Sequence, residues 1–121
     1  MPDKVYRTAI YCRLSREDGD KVESNSIASQ RAICEDYIAR HDDLEIVCEP
    51  FVDDGYSGVS FNRPNFKKLE DAIRKGAIDC IVVKDLSRFS RNYIDGGRYL
   101  EKIFPQLGIR FIAVNDAYDS L

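Results

Sequence analysis

The sequence contains one histidine, no closely spaced pair of cysteines and no long uncharged apolar segment, and each shortage removes a class of function. His41 follows an arginine near the end of a helical pattern, which marks a surface or capping residue rather than a metal ligand or general base. Most histidine-dependent chemistry is thereby excluded. Cys12, Cys34, Cys48 and Cys80 stand singly in apolar contexts, without the spacing of a zinc knuckle or a redox motif, and read as reduced, mostly buried fillers. No segment is long and apolar enough to cross a membrane, and the opening "MPDKVYRTAIYCRLSRED" lacks the apolar stretch and cleavage site of a signal peptide, so a soluble, cytoplasmic protein is expected. Glycine-rich phosphate loops of the GxxxxGK[ST] or GxGxxG type are missing too. Basic charge is not in excess: the net charge is −3, which counts against a nucleic-acid binder unless a few arginines converge in one place.

What the chain does have is enough apolar material, 44% of 121 residues, for one domain with a core of its own. "KVYRTAIYCRL", "LEIVCEPFV", "AIDCIVV" and "GIRFIAV" read as four strands, the last two buried. Between them, Ser26 to His41 sets Ile27, Gln30, Cys34, Tyr37 and Ile38 on one side at helical spacing, with Ser26 as N-cap. Gln30 therefore points with the apolar residues. A second helix is expected from Pro64 to a stop at Gly76. A third follows Asn92, with Ile94, Leu100, Ile103 and Phe104 inward and Pro105 ending or bending it. Alternating strands and helices predict an α/β fold: a mostly parallel sheet of about four or more strands, joined by right-handed crossovers, with helices on both faces. "SREDGDKVES" is a polar loop. The closing "NDAYDSL" offers no helix after the last strand, so a fragment of a longer protein is expected, with any further domain beyond Leu121.

In an open parallel sheet, ligands bind beyond the carboxyl ends of the strands. Arg13, Ser15 and Arg16 follow the first strand; Asp53, Asp54, Ser57 and Arg63 follow the second; Lys84, Asp85, Ser87, Arg88, Ser90 and Arg91 follow the third. Serine hydroxyls and several guanidinium groups thus approach one rim, a set that suits a phosphate diester, because arginine stays charged and its planar fork matches paired phosphate oxygens. Ser15 is the candidate nucleophile on this reading and a turn residue on the alternative. Asp53 and Asp54, with Asp116 and Asp119, are the candidates for a magnesium site, or else the solvated ends of strands.

"YCRLS" (Tyr11 to Ser15), "SIASQ" (Ser26 to Gln30), "DDGYSGVSFNRPNF" (Asp53 to Phe66) and "KDLSRFSRN" (Lys84 to Asn92) resemble, in order and spacing, the catalytic domain of serine recombinases, the resolvase/invertase family. The resemblance covers nearly the whole chain. It implies that Ser15 attacks a DNA phosphodiester to form a 5′-phosphoserine bond; that Arg13, Arg88 and Arg91 contact the scissile phosphate; and that Arg63, Ser57 and Gln30 support the phosphate site. It implies double-stranded DNA as partner, a homodimer on each site and a synaptic tetramer in the full-length protein, with no cofactor, metal or small-molecule ligand. An oligomerisation helix and DNA-binding domains would then follow residue 121. One departure stands out: small family members commonly carry an aspartate just before the first of the paired arginines, and here the residue is Ser87. The form "LSRFSRN" is closer to the large serine recombinases of mobile elements. Two other classes compete, a flavodoxin-like or receiver-like interaction module that would tolerate loss of Ser15, and a metal-dependent nuclease that would need a compact acidic cluster.

Overall fold

The structure, a computed structural model, describes residues 3–15 and 26–121. The loop expected at Ser15–Ser24 lies outside those residues except for Ser15 itself, and Arg16 lies outside with it. Strand β1 (Tyr6–Leu14) is central, with every residue from Thr8 to Arg13 buried. It pairs in parallel with β2 (Leu44–Ile46), β3 (Phe51–Asp54) and β4 (Cys80–Val83); β4 pairs in parallel with β5 (Arg110–Ala113), and β6 (Tyr118–Asp119) adds an antiparallel edge. The order is β2-β1-β4-β5-β6, with β3 also on β1.

Side-chain alternation along β1 and β4 divides the interior in two. Ile10, Cys12, Cys80 and Val82 face α1 (Ile27–Ala39), where Cys34 and Ile38 meet them. Ala9, Tyr11, Ile81 and Val83 face the other way, toward Phe66, Leu69 and Ile73 of α2 (Pro64–Arg74) and the aromatic group Phe89, Tyr99, Phe104 and Phe111. Strands covered on both faces have no polar alternation to keep, which is why "TAIYC" and "CIVV" read as continuous apolar runs. Helices on both faces and a mostly parallel sheet agree with the expectation. So do the Ser26 cap, whose side chain accepts from the Ser29 N–H, and Pro64 at the start of α2, which ends ahead of Gly76 at φ 79°. Cys12, Cys34 and Cys80 are buried and Cys48 is half-buried, all as thiols; burial pushes Cys12 and Cys80 up to about 12.

Three details differ from the sequence reading. The expected second strand is broken into β2 and β3: Thr8 pairs with Ile46 and Tyr11 with Phe51, so residues 47–50 stand opposite only Ala9 and Ile10. Pro50 has no N–H for a ladder, and the bulge accommodates it. A short helix outside the three expected, α3 (Leu86–Phe89), precedes Asn92, and the expected third helix is a string of short pieces: α4 (Tyr93–Arg98), a π-helical turn (Tyr99–Ile103) and α5 (Phe104–Gln106). Pro105 cannot donate to the carbonyl of Glu101 and crowds it, and the turn just before it is the widened one. Ile94, expected inward, is 82% exposed, because the Asn92 cap sets a phase in which Gly96, Tyr99 and Phe104 are the buried positions. Finally, "NDAYDSL" makes a 3-10 turn and the antiparallel β6, an element too short to show in the sequence pattern.

Candidate active site

The carboxyl end of β1 is where three connections meet. Pairing between β1 and β4 stops at Ile10 and Val82, so the main chain of Arg13 has no strand beside it on that side. The Gln30 side chain takes the strand's place: its Nε2 donates to the Arg13 carbonyl at 3.0 Å, and its Oε1 accepts from the Arg13 N–H at 3.2 Å. Arg88 Nη1 donates to the same carbonyl at 3.1 Å. This is the role of the polar residue on the apolar face of α1, and Gln30 is fully buried there.

The Arg13 side chain, two residues past Tyr11 on the same face, is 0% exposed. Its Nε donates to the Arg88 carbonyl at 3.1 Å, Nη1 to the Tyr56 carbonyl at 3.0 Å and Nη2 to the Ser87 carbonyl at 2.5 Å. One guanidinium thus ties β1 to the loop after β3 and to α3. The carbonyl oxygens offset part of the hydration that the buried guanidinium loses. Ser15, the residue after β1, is 5% exposed, and the chain just before it is fastened to the β3 loop, since the Leu14 carbonyl accepts from the N–H groups of Gly55 and Tyr56.

Arg63 organises the loop itself. Also 0% exposed, it donates from Nε to the carbonyls of Ser57 and Ser60, from Nη1 to the Phe89 carbonyl and the Tyr11 hydroxyl, and from Nη2 to the Gly58 carbonyl. Burial lowers its pKa from the ordinary arginine value, a shift that nearby Tyr11 opposes. The Ser57 hydroxyl accepts from the Val59 N–H, closing a turn of the same loop. Arg91 donates its N–H to the Gly58 carbonyl at 2.7 Å and exposes its side chain at the rim. Gly58 is the contact between them: a Cβ there would fall 2.7 Å from Arg13 Nη2 and 2.8 Å from Arg91 Cγ. The seven residues expected at the site therefore fall into a buried group, Arg13, Gln30, Arg63, Arg88 and Ser15, with Ser57 half-buried and Arg91 exposed.

The aspartates have other partners. Asp53, fully buried, accepts from the Tyr11 hydroxyl at 2.8 Å and from the N–H groups of Asn65 and Phe66, capping α2, whose own N-cap Arg63 makes no side-chain cap. Burial, more than any neighbour, pushes the Tyr11 phenol well above its usual range. Asp116 accepts from the Leu86 N–H, and Asp119 pairs with Arg110. Asp85 accepts from the Ser87 hydroxyl at 2.6 Å and the Arg88 N–H at 3.1 Å, and lies 3.7 Å from Arg88 Nε. Beside these groups an open, mainly apolar groove of about 430 Å³ runs past Ser87, Ser90, Arg91, Tyr93 and Leu100.

Sequence reasoning missed Tyr11 and Gly58 as parts of this arrangement. Tyr11 carried a signal, the period-two spacing that puts it on the face of Arg13. Gly58 carried none, because only the approach of two arginines from distant segments makes a side chain there intolerable. Chemically, buried cationic groups under a rim serine favour an anion with several oxygens, since charge is screened weakly in so dry a setting.

The chain is similar to known proteins over most of its length. Residues 8–121 match the family model described as Resolvase, N terminal domain. A putative DNA recombinase of Bacillus subtilis (strain 168) is 31% identical over 87 residues, 72% of this chain but 16% of that protein. The chain thus spans a small part of the curated relative it matches. Among solved structures, the N-terminal catalytic domain of TP901-1 integrase superposes with a TM-score of 0.81 at 27% identity, over 94% of this chain and 81% of that one. A resolvase family site-specific recombinase from Streptococcus pneumoniae gives 0.76 at 30% identity, over 95% and 76%.

Proposed function

Since the chain belongs to the resolvase family as its N-terminal domain, we propose that it is the catalytic domain of a serine site-specific recombinase, and that Ser15 is its nucleophile. The observation that carries this reading is the shell of arginines at the end of β1: Arg13 and Arg88 are buried and cross-bonded through each other's carbonyls, beside a serine that is the next residue but one after Arg13. Ser15 Oγ attacks the phosphorus of a double-stranded DNA backbone. The bond to the 3′ oxygen breaks, that oxygen leaves with a proton as a 3′-hydroxyl, and the 5′ phosphate stays on the serine. Attack of a 3′-hydroxyl on the phosphoserine reverses the step, so strand exchange needs no outside energy source. A pentacoordinate phosphorus carries more charge on its non-bridging oxygens than the ground state does, and arginines fixed beforehand favour it selectively. Arg91, at the rim, meets the phosphate directly, while Arg13 and Arg88 act from beneath.

The net charge of −3 is then no obstacle, because other segments of the natural protein grip the DNA, pair as dimers on each site and join as tetramers at synapsis. The test uses the intact gene product and its recombination site with chelator present, looking for a covalent protein–DNA adduct on a denaturing gel. Wild type should give the adduct and Ser15→Ala none. No adduct in wild type, once DNA binding and pairing are confirmed, would return Ser15 to the status of a turn residue.

A further inference from the structure

The paired-arginine segment carries Ser87 where an aspartate is common in small relatives, yet Arg88 does not lack a carboxylate. Its side chain is 4% exposed, and the edges of the guanidinium are occupied by different groups. Nη1 donates to the Arg13 carbonyl at 3.1 Å, Nη2 lies 3.4 Å from Ser87 Oγ, and Nε lies 3.7 Å from Asp85 Oδ1. Asp85 and Ser87 are themselves joined, the hydroxyl donating to the carboxylate at 2.6 Å. With its proton committed to Asp85, the Ser87 oxygen presents a lone pair toward Nη2. Asp85 is the N-cap of α3, and the first helical turn brings position 85 beside position 88, three residues on.

We propose that Asp85, relayed by the Ser87 hydroxyl, is the positioning carboxylate of this phosphate site, holding Arg88 in the rotamer that faces the scissile phosphate. The inference rests on the recombinase reading above. Asp85 acts through Arg88 and needs no contact with DNA. Its side chain is 24% exposed, so it braces the buried Arg88 from the edge of the interior.

Asn is as good a helix cap as Asp, so Asp85→Asn keeps the cap of α3 and removes only the charge. The rate of Ser15-dependent adduct formation should fall about ten- to a hundredfold in Asp85→Asn, the range expected for a charged hydrogen bond. Moving the carboxylate should restore it: Asp85→Asn combined with Ser87→Asp should recover to within about threefold of wild type. The Arg88 Nε–H resonance should shift in Asp85→Asn and return toward its wild-type position in the double variant. Wild-type rates in Asp85→Asn would overturn the proposal. So would a loss that Ser87→Asp does not repair, including a loss that comes with a lowered melting temperature, because a merely structural aspartate is not rescued from position 87. If wild type itself forms no adduct, the recombinase reading has failed, a result distinct from these.

Discussion

At the scale of single residues, the site depends on how closely two guanidinium chains pack over Gly58. Arg13 Nη2 and Arg91 Cγ both lie inside the volume that a methyl group would need. Arg13 is locked by carbonyls of Tyr56, Ser87 and Arg88, so it has little room to give way. Gly58→Ala should therefore cost about 1–3 kcal/mol of stability, as overpacking does, and should depress adduct formation more than stability alone explains. Urea unfolding and the denaturing-gel assay on one preparation measure both. Unchanged values would mean that the loop yields and the arginines are not clamped. Arg63, although matched to a supporting position from the sequence, makes its hydrogen bonds to protein groups: four carbonyls and the Tyr11 hydroxyl. Its contribution to the site runs through the loop that it shapes.

At the scale of elements, α2 is positioned by a residue outside it. The N-cap position is Arg63, which offers no acceptor, and the N-terminal N–H groups of Asn65 and Phe66 bond instead to the carboxylate of Asp53 at the end of β3. The same carboxylate takes the Tyr11 hydroxyl, so β1, β3 and α2 meet on one buried group. Asp53→Asn retains the shape but loses the charge at a helix N-terminus and one acceptor. It should destabilise the domain by about 1–3 kcal/mol, measured by chemical denaturation. A double-mutant cycle with Tyr11→Phe should show that the two residues are coupled; additive effects would separate them. The strands of β1, β4 and β5 and the helices α1 and α2 were legible because apolar runs and 3.6-residue periodicity are local properties. The break between β2 and β3 was not, since "LEIVCEPFV" reads as one strand until its register against β1 is known. The phase of α4 was hidden for a similar reason: Ile94 looks like a core residue in isolation, and the Asn92 side chain, bonded to the N–H groups of Ile94 and Asp95, turns it outward.

At the scale of the whole molecule, the end of the sheet opposite the candidate site is closed by one arginine. Arg110 at the start of β5 pairs with Asp43, ahead of β2, at 2.7 Å and with Asp119 of β6 at 2.6 Å, and stacks over the Tyr6 ring. It therefore links the antiparallel edge to the far side of the sheet. Burial pushes the Asp119 carboxyl upward, but the hydrogen bonds from Arg110 and the Leu121 N–H outweigh it and leave the carboxyl below its ordinary value. A carboxyl depressed in the folded state contributes stability above its unfolded value, near pH 4, and loses that contribution as the pH falls through the lower folded value. Asp119→Asn should therefore melt below wild type at neutral pH, by an amount worth about 1–2 kcal/mol. The gap should narrow as the pH drops below about 4. A pH-independent gap would assign the effect to packing. Among the described residues no helix is long and apolar enough to cross a membrane.

Composition and local pattern by themselves determined the α/β class, the helices on both faces, the buried thiols and the identity of four chemistry-bearing segments, because burial periodicity, caps and motif spacing are written in neighbouring residues. Tertiary structure decided which of those groups touch. Gln30 stands in for a missing strand only because β4 stops pairing with β1 after Ile10. The burial of Arg13 and Arg63, likewise, depends on carbonyls brought in from loops tens of residues away. Contacts of that kind are properties of chain closure in three dimensions, and no local stretch of sequence carries them.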